Sequence, residues 1–159
     1  MSQPRQPPPA WTGGRAMVAV AAGGALGALA RYATDRLLPR PDGLPVSTLT
    51  VNVVGCFLMG LLVAAILRRP DAHPVLRPFL AVGVLGGFTT FSAYAADIRV
   101  ALVEGRVATA LVYAVATLVL CVGAAWLGLL LGARRRPVLD EGLLDETLLD
   151  ETPPDEDAR

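Results

Sequence analysis

The stretch Val82-Gly83-Val84-Leu85-Gly86-Gly87-Phe88-Thr89-Thr90-Phe91-Ser92-Ala93-Tyr94 lies in the middle of an apolar segment that runs from about Pro74 to Val103. It places glycines, threonines and a serine where a lipid-spanning helix would carry leucine and valine. Each glycine in a helix interior costs about 1 kcal/mol relative to alanine. The chain is therefore expected to leave helical geometry at Gly86, because glycine adopts such conformations without steric cost. Irregular backbone at membrane depth persists only where it is buried in protein or lines a cavity. The stretch therefore predicts a broken membrane span at a functional site, with a kinked helix packed on small residues as the alternative.

The composition is that of a membrane protein rather than of an enzyme or a nucleic-acid-binding protein. The hydrophobic fraction is 53% and the mean hydropathy is +0.52. Every basic residue is arginine, and the arginines cluster between apolar runs, which is how membrane proteins place charge. Cys56 and Cys121 lie inside apolar runs and His73 lies in a loop, so neither a disulfide nor a metal-enzyme site is expected. The pattern contains no recognisable nucleophile, general base or metal cluster, and the chain is predicted not to be an enzyme.

Four apolar runs are long enough to cross a hydrocarbon core of ~30 Å. They cover residues 16–38, 47–67, 75–103 and 107–131. Gly23 and Gly27 form a small-residue face on the first run, Ser47 or Thr48 can cap the second, and Asp97 and Arg99 mark the exit of the third. The predicted fold is an all-α membrane protein with four transmembrane helices, the third broken at mid-membrane. The first run could instead be a signal peptide, with Ala28-Leu29-Ala30 resembling a cleavage site.

The two ends of the chain have a different character from its middle. Residues 1–15 are rich in proline and glutamine and are predicted to be a disordered tail. Residues 137–159 repeat an acidic pattern with paired leucines and are predicted to be a second disordered tail. Residues 16–136 are predicted to form the membrane domain between them.

Four crossings distribute the arginines unequally over the two sides of the membrane. One side carries Arg5, Arg15, Arg68, Arg69, Arg77, Arg134, Arg135 and Arg136, and the other carries Arg36, Arg40, Arg99 and Arg106. This bias favours both termini inside the cell.

A few polar side chains interrupt the apolar spans. Asn52 in the second span is expected to face protein or a pore, because an unpaired amide in hydrocarbon is costly; its alternative role is interhelical bonding alone. Arg31, near the end of the first span, either snorkels to the headgroups or faces a polar path. Tyr113, Thr117 and Cys121 recur every four residues and line one helical face. That face is either a polar track or an ordinary site of interhelical hydrogen bonds.

Three motifs in consecutive spans resemble the Fluc/CrcB family of fluoride channels. They are Gly23-Gly24-Ala25-Leu26-Gly27-Ala28-Leu29-Ala30-Arg31-Tyr32, Thr48-Leu49-Thr50-Val51-Asn52-Val53-Val54-Gly55 and Gly86-Gly87-Phe88-Thr89-Thr90-Phe91-Ser92. The resemblance covers residues 16–131 and leaves out both tails. It implies an antiparallel, dual-topology-type dimer of four-helix subunits with two anion pores.

The resemblance also implies roles for individual residues. Backbone carbonyls of Gly86 and Thr89 from both subunits would hold a structural Na⁺ at the dimer centre. The electropositive pore entrance would be at Arg31. The fluoride path would be lined by Asn52, Phe91, Ser92, Tyr94, Tyr113, Thr117 and Cys121. This chain departs from the family at Tyr94, where a phenylalanine is usual, and at Cys121, where a serine is usual; cysteine is only a weak donor.

The function that the resemblance implies is passive export of cytoplasmic fluoride through pores at the dimer interface in the plasma membrane. Fluoride enters acidified cells as neutral HF and dissociates inside, so a passive exit path suffices to lower its toxicity. The alternative is a non-conducting or partner-dependent membrane subunit of a heterodimeric channel. The expected partners are fluoride, Na⁺, membrane lipid, and either a second copy of the chain or an oppositely oriented paralogue.

Overall fold

The computed structural model of the protein describes residues 13–38, 45–68 and 75–134, and these residues are helical apart from short connections. In chain order the helices are α1 (Gly14–Leu37), α2 (Val46–Arg68), α3 (π-helical over Pro78–Leu85, then α-helical over Gly86–Phe88), α4 (Phe91–Val103) and α5 (Val107–Arg134). Four stretches are long and apolar enough to cross a membrane, and the third is Pro78–Val103, formed by α3 and α4 together. The prediction of an all-α protein with four membrane spans is confirmed.

The helix boundaries differ from the predicted ones by a few residues. Helix α1 begins at Gly14, so Arg15, predicted to lie in the disordered N-terminal tail, is helical. Helix α5 continues past the predicted end at 131 to Arg134. The rest of the predicted N-terminal tail, up to residue 12, and the acidic tail 137–159 lie outside the described residues.

Two residues between α3 and α4 have extended backbone. Thr89 has φ −77° and ψ 158°, and Thr90 has φ −150° and ψ 122°. Gly86 is helical, with φ −65° and ψ −34°. The expectation that the chain leaves helical geometry at Gly86 is therefore wrong, because the helix runs through the glycine pair and ends at Phe88. We refer to Thr89–Thr90 as the interruption.

The two threonines of the interruption satisfy the helix ends on either side of it. The Thr89 hydroxyl donates to the carbonyl of Leu85 at 2.9 Å, which is the last turn of α3. The Thr90 hydroxyl accepts from the amide of Ala93 at 3.1 Å and so caps the N-terminus of α4. A threonine is well suited to this capping position because its side-chain oxygen replaces a missing helical acceptor.

Glycines bring α1 against α3 at backbone distance. Gly23 and Gly27 of α1 are buried, and a Cβ at Gly23 would lie 2.5 Å from the carbonyl oxygen of Phe79. A Cβ at Gly87 would overlap the carbonyl oxygen of Gly24. Small residues four apart allow helices to pack closely in lipid. The predicted small-residue face on α1 is confirmed, and Gly87 is part of the surface on α3 that meets it.

Helices α2 and α5 pack side by side in the same direction. A Cβ at Gly60 would overlap the carbonyl of Ala125, and a Cβ at Gly128 would overlap the carbonyl of Phe57. Further toward the C-terminal ends of both helices, a Cβ at Gly132 would overlap the side chain of Ala64, and Arg68 Nη1 donates to the carbonyl of Gly132 at 2.9 Å, so the pair is parallel. At the contact of Gly60 and Ala125 the two positions are 65 residues apart in sequence.

The distribution of side chains is inverted relative to that of a water-soluble bundle. Among the described residues, the buried side chains are small or polar: Ala16, Ser47, Thr48, Val51, Asn52, Ala64, Thr90, Ala101, Ala110 and Thr117, with Leu85 and Tyr113 the larger exceptions. Many leucines and valines of α1 and α5 are exposed. A surface of this kind suits hydrocarbon, in which helices associate through close packing and hydrogen bonds rather than by burying apolar side chains.

Candidate functional site

Asn52 of α2 is bonded to the interruption through both ends of its side-chain amide. Its Nδ2 donates to the carbonyl oxygen of Thr90 at 2.9 Å, and its Oδ1 accepts from the amide of Thr90 at 2.8 Å. Both residues are buried. The expectation that Asn52 faces protein is confirmed, and the side chain retains one further N–H, since a carboxamide carries two.

This pairing changes the hydrogen bonding of α3. In an uninterrupted α-helix, the amide of Thr90 would donate to the carbonyl of Gly86 four residues earlier. In the structure that amide donates to Asn52 instead. The Gly86 carbonyl therefore lacks its regular helical donor, which leaves an oxygen at the end of α3 available to another group.

Arg31 of α1 reaches the interruption from the other side. Its Nη1 lies 3.5 Å from the carbonyl oxygen of Thr89, at the outer limit of a hydrogen bond. Arg31 is partly buried, so its guanidinium lies inside the subunit rather than extended to the surface. The guanidinium therefore contacts the backbone of the interruption, and the role of Arg31 beside a polar path stays a prediction.

A polar cavity of about 780 Å³ lies beside Arg31 and Thr90, between α1, α2 and α4. Its polar walls are formed by Arg31, Asp35, Ser47, Thr48, Thr90, Ser92 and Asp97. Ser47 or Thr48 was expected to cap α2, but α2 begins at Val46 and both residues lie inside it. The Ser47 hydroxyl donates to Asp35 Oδ1 at 2.7 Å. The buried Oδ2 of Asp97 has no hydrogen-bond partner within the described residues.

The sequence reasoning did not include this cavity's carboxylates in the site. Asp97 was interpreted only as the exit of the third span, and Asp35 was not singled out. The spacing in the sequence could have identified Asp97 as a site residue. It lies seven residues after Thr90, and two helical turns place both residues on one face.

Three aromatic side chains continue from the interruption across α4 to α5. Phe91 is the first residue of α4, and 79% of it is exposed. Its ring centroid lies 5.7 Å from that of Tyr94, which lies 5.7 Å from that of Tyr113. The Tyr94 hydroxyl donates to the carbonyl of Ala114 at 3.0 Å. The structure thus brings together three of the predicted path residues, and the extra hydroxyl that Tyr94 carries is already bonded within the subunit.

The polar stripe of α5 contains two buried hydroxyl groups without partners. Tyr113 and Thr117 are both buried, and neither hydroxyl has a hydrogen-bond partner within the described part of the chain. Leaving a buried hydroxyl unpaired costs about 1–3 kcal/mol. The Tyr113 hydroxyl faces the side chains of Thr48 on α2 and of Thr117, but no bond of ordinary geometry joins it to either. Cys121, the third member, lies beside Cys56 of α2, and both thiols are free.

A matching stripe on α2 was missed. Thr48, Asn52 and Cys56 also recur every four residues, and each is 65 positions before its counterpart in the α5 stripe. The same offset separates Gly60 from Ala125, where the two backbones touch. The sequence alone shows this second series of polar residues spaced four apart. Only the parallel packing of α2 and α5 shows that it faces the polar stripe of α5.

The remaining predicted site residues lie at the interruption. The Ser92 hydroxyl is 3.2 Å from that of Thr90, and Ser92 itself is exposed. Gly86 is exposed as well, and only the carbonyl oxygen of Ala81, 3.8 Å away, would come within 4 Å of a Cβ at that position. Within one subunit, then, Gly86, Phe91 and Ser92 all present accessible surface next to the interruption.

Comparison of the sequence with known proteins identifies the family to which the chain belongs. A family model described as CrcB-like protein, Camphor Resistance (CrcB), matches residues 18–129. The chain belongs to the CrcB family. The match begins inside α1, which favours a membrane helix over a signal peptide for the first apolar run.

Curated relatives within the CrcB family carry ion-channel names. The fluoride-specific ion channel FluC of Paracoccus denitrificans is 48% identical over 114 residues, which cover 71% of this chain and 90% of the relative. FluC 1 of Streptomyces coelicolor is 47% identical over 109 residues, covering 68% of this chain and 71% of the relative. FluC 2 of Nocardia farcinica is 43% identical over 133 residues, covering 83% and 91%. The similarity confirms the family resemblance and the prediction that the chain is not an enzyme, and the four spans make it a multi-pass membrane protein.

Proposed function

We propose that this CrcB protein is a fluoride-specific ion channel of the cell membrane that lowers cytoplasmic fluoride by passive export. The curated relatives bear that name. The observation that carries the proposal is the pair of buried, unpartnered hydroxyls at Tyr113 and Thr117. Two such donors one helical turn apart suit a small anion that accepts hydrogen bonds strongly.

The proposed selectivity rests on replacing the hydration of fluoride with fixed donors, as other selectivity filters replace hydration shells. The hydroxyls of Tyr113 and Thr117 and the second amide proton of Asn52 would supply O–H and N–H groups. Phe91 would offer its ring edge, the positive part of the aromatic quadrupole. Arg31 and the polar cavity would raise the local anion concentration at the entrance.

The proposed channel contains two antiparallel subunits with a pore at each side of their interface. Phe91 is 79% exposed in the single subunit, and Gly86 beside it has open space around its Cα. A second copy packed across the interruption would cover both residues and complete the walls of each path. On this proposal the interruption lies at mid-membrane, where the two copies cross.

The proposed structural cation is Na⁺, held by the carbonyl oxygens of Gly86 and Thr89 from the two subunits. The donor set fits a hard cation, because such ions prefer oxygen ligands and the Gly86 carbonyl has lost its regular helical donor to Asn52. Arg31 lies at 3.5 Å from the Thr89 carbonyl, too far to satisfy that oxygen fully.

Fluoride efflux from liposomes reconstituted with the purified chain alone tests the channel function. We expect fluoride release, measured with a fluoride electrode, under conditions in which matched chloride-loaded liposomes release no chloride. A chain that is folded and incorporated but releases no fluoride would contradict a self-sufficient channel.

The unequal distribution of arginine over the two sides of the membrane favours a second form of the proposal, in which the chain pairs with an oppositely oriented paralogue. A homodimer of dual topology is expected to have almost no such bias. Efflux from the chain alone excludes the heterodimer as a requirement, and efflux only after addition of a partner supports it.

A further inference from the structure

The two hydrogen bonds between Asn52 and Thr90 form a closed pair, in which a side-chain amide imitates a neighbouring peptide group. At 2.9 Å and 2.8 Å, both bonds have ordinary lengths, and both partners are buried. A buried backbone amide must find an acceptor, because leaving it unpaired is costly. Thr90 therefore has two alternatives at this position: the carbonyl of Gly86 in a continuous helix, or Oδ1 of Asn52.

The backbone on both sides of Thr90 could be accommodated in a continuous helix. Gly86 is already helical, and α4 begins at the next residue, Phe91. Only Thr89 and Thr90 have extended torsions, and no proline stands between Gly86 and Tyr94. No proline therefore forces a gap, and the Thr90 amide that a continuous helix would use is bonded to Asn52 of a different helix.

We propose that Asn52 is the positioning residue that keeps the third span open, and that by accepting the Thr90 amide it keeps the Gly86 carbonyl free for a cation. The cation part of this inference rests on the proposed Na⁺ site, whereas the effect of Asn52 on the interruption does not. This role is separate from that of a pore-lining donor, because it acts through Thr90 and not through contact with the permeating anion.

Two substitutions of Asn52 distinguish the contribution of the hydrogen bond that it accepts from that of the one that it donates. Asn52→Ala removes both bonds and returns the Thr90 amide to the Gly86 carbonyl. Asn52→Asp keeps an oxygen that can accept the Thr90 amide while removing the donor to the Thr90 carbonyl. Thr50→Ala is the matched control on the same helix, because the Thr50 hydroxyl bonds only locally, to the carbonyl of Val46 at 2.8 Å.

The test measures the thermal stability of the purified full-length dimer against Na⁺ concentration, with N-methyl-D-glucamine replacing Na⁺ at constant ionic strength. A ligand that binds only the folded state raises stability by RT ln(1 + [L]/Kd). We define the midpoint as the Na⁺ concentration at which this gain reaches RT ln 2, which equals Kd. We expect Asn52→Ala to raise the Na⁺ concentration at the midpoint about tenfold or more, the effect of losing one good ligand interaction. Asn52→Asp and Thr50→Ala should stay within about threefold of the wild type. A wild-type midpoint in Asn52→Ala would overturn the link between Asn52 and the cation.

A second experiment tests the effect of Asn52 on the interruption in the absence of Na⁺. It measures the rate of amide hydrogen exchange, by mass spectrometry, in the peptide covering residues 85–94. In a closed helix the amides of Phe91 and Ser92 gain helical acceptors, whereas the Thr90 amide only exchanges Asn52 for Gly86. Asn52→Ala should therefore slow the exchange of Phe91 and Ser92, while Asn52→Asp should not. Unchanged or faster exchange in Asn52→Ala would overturn the positioning role. If the wild-type protein shows no Na⁺ dependence while Asn52→Ala still slows exchange, the proposed Na⁺ site fails and the role of Asn52 in the interruption stands.

Discussion

At the scale of single residues, the unpartnered hydroxyl of Thr117 has opposite consequences for stability and for conduction. Thr117→Val keeps the shape of the side chain and removes a buried hydroxyl that has no partner among the described residues. We expect the free energy of unfolding to stay the same or rise by about 1 kcal/mol. Fluoride efflux should fall on the order of tenfold, because a hydrogen bond to a charged ligand is worth about 1.5–3 kcal/mol.

The control for Thr117→Val is Thr50→Val on α2. The Thr50 hydroxyl is satisfied within its own helix, so its removal should cost about 0.5–1.5 kcal/mol of stability and leave efflux unchanged. Thermal unfolding in detergent and efflux from liposomes are measured on the same preparations. If Thr117→Val lowers stability and leaves efflux intact, the hydroxyl belongs to the fold and not to the path.

The adjacent glycines of α3 should respond differently to the same substitution. Gly87→Ala places a Cβ against the backbone of Gly24 in α1, and overpacking of this kind costs about 1–3 kcal/mol. Gly86→Ala meets only the carbonyl oxygen of Ala81 at 3.8 Å and improves helix propensity by about 1 kcal/mol. The subunit should therefore be destabilised by the change at Gly87 and not by the change at Gly86.

Separate measurements of subunit unfolding and of dimer formation distinguish the two glycines. Any loss caused by Gly86→Ala should appear in cross-linking or size-exclusion assays of the proposed dimer, since the residue is exposed in the subunit. Equal destabilisation of the subunit by both variants would contradict the packing described for α1 and α3.

At the scale of helices, the parallel packing of α2 and α5 places Cys56 and Cys121 in one layer. Each cysteine lies one turn before the contact of Gly60 with Ala125, at which the two backbones touch. Soft thiol ligands bind soft cations, and two thiolates with one divalent ion form a neutral group that suits an apolar interior. We expect one equivalent of mercuric chloride to protect both thiols from alkylation by a maleimide, as measured by mass spectrometry.

The two single substitutions Cys56→Ser and Cys121→Ser provide the comparison. Each leaves one thiol, and without the second ligand the remaining cysteine should bind mercuric ion more weakly and be displaced by a competing small thiol. If the wild-type protein loses the metal to that competitor as readily as the single variants do, the thiols do not act as a pair and the shared layer is wrong.

The elements themselves follow from the sequence more completely than the contacts between them. Hydropathy predicts the four spans because the requirement for about 20 apolar residues is local. The glycine pair predicted the correct span for the break but the wrong residue. Gly87 packs against α1, and the extended torsions belong to Thr89 and Thr90. Periodicity identified the α5 stripe, whereas its partner on α2 depends on which helices are neighbours, which a pattern within one helix does not contain.

The site was predictable as a set of residues and not as a set of interactions. Asn52 was expected to bond with protein or face a pore because an amide in hydrocarbon needs partners. That its partner is the backbone of Thr90, 38 positions away in the chain, depends on the approach of α2 to the interruption. The same reason applies to Asp97, which periodicity places on the Thr90 face and only the fold places in the polar cavity.

At the scale of the whole molecule, the acidic C-terminal segment should be dispensable for transport. It has no apolar run, and its repeated acidic and leucine pattern suits solvent. Deleting the residues after Pro137 should therefore leave the fluoride efflux rate per assembled dimer within about twofold of the full chain. The measurement is efflux normalised to incorporated protein; a truncated chain that assembles normally and does not conduct would contradict the prediction.

The division of the third span also has an electrical consequence for the molecule. Helix α3 ends in carbonyl groups and α4 begins with amide groups, and only Thr89 and Thr90 separate them. Aligned peptide dipoles give a helix roughly half a negative charge at its C-terminus and half a positive charge at its N-terminus. The negative end of α3 and the positive end of α4 thus face each other across two residues. Their fields cancel at distances much larger than this gap and remain strong close to the interruption. A cation would gain on the α3 side and an anion on the α4 side, although neither Thr89 nor Thr90 carries a charged side chain.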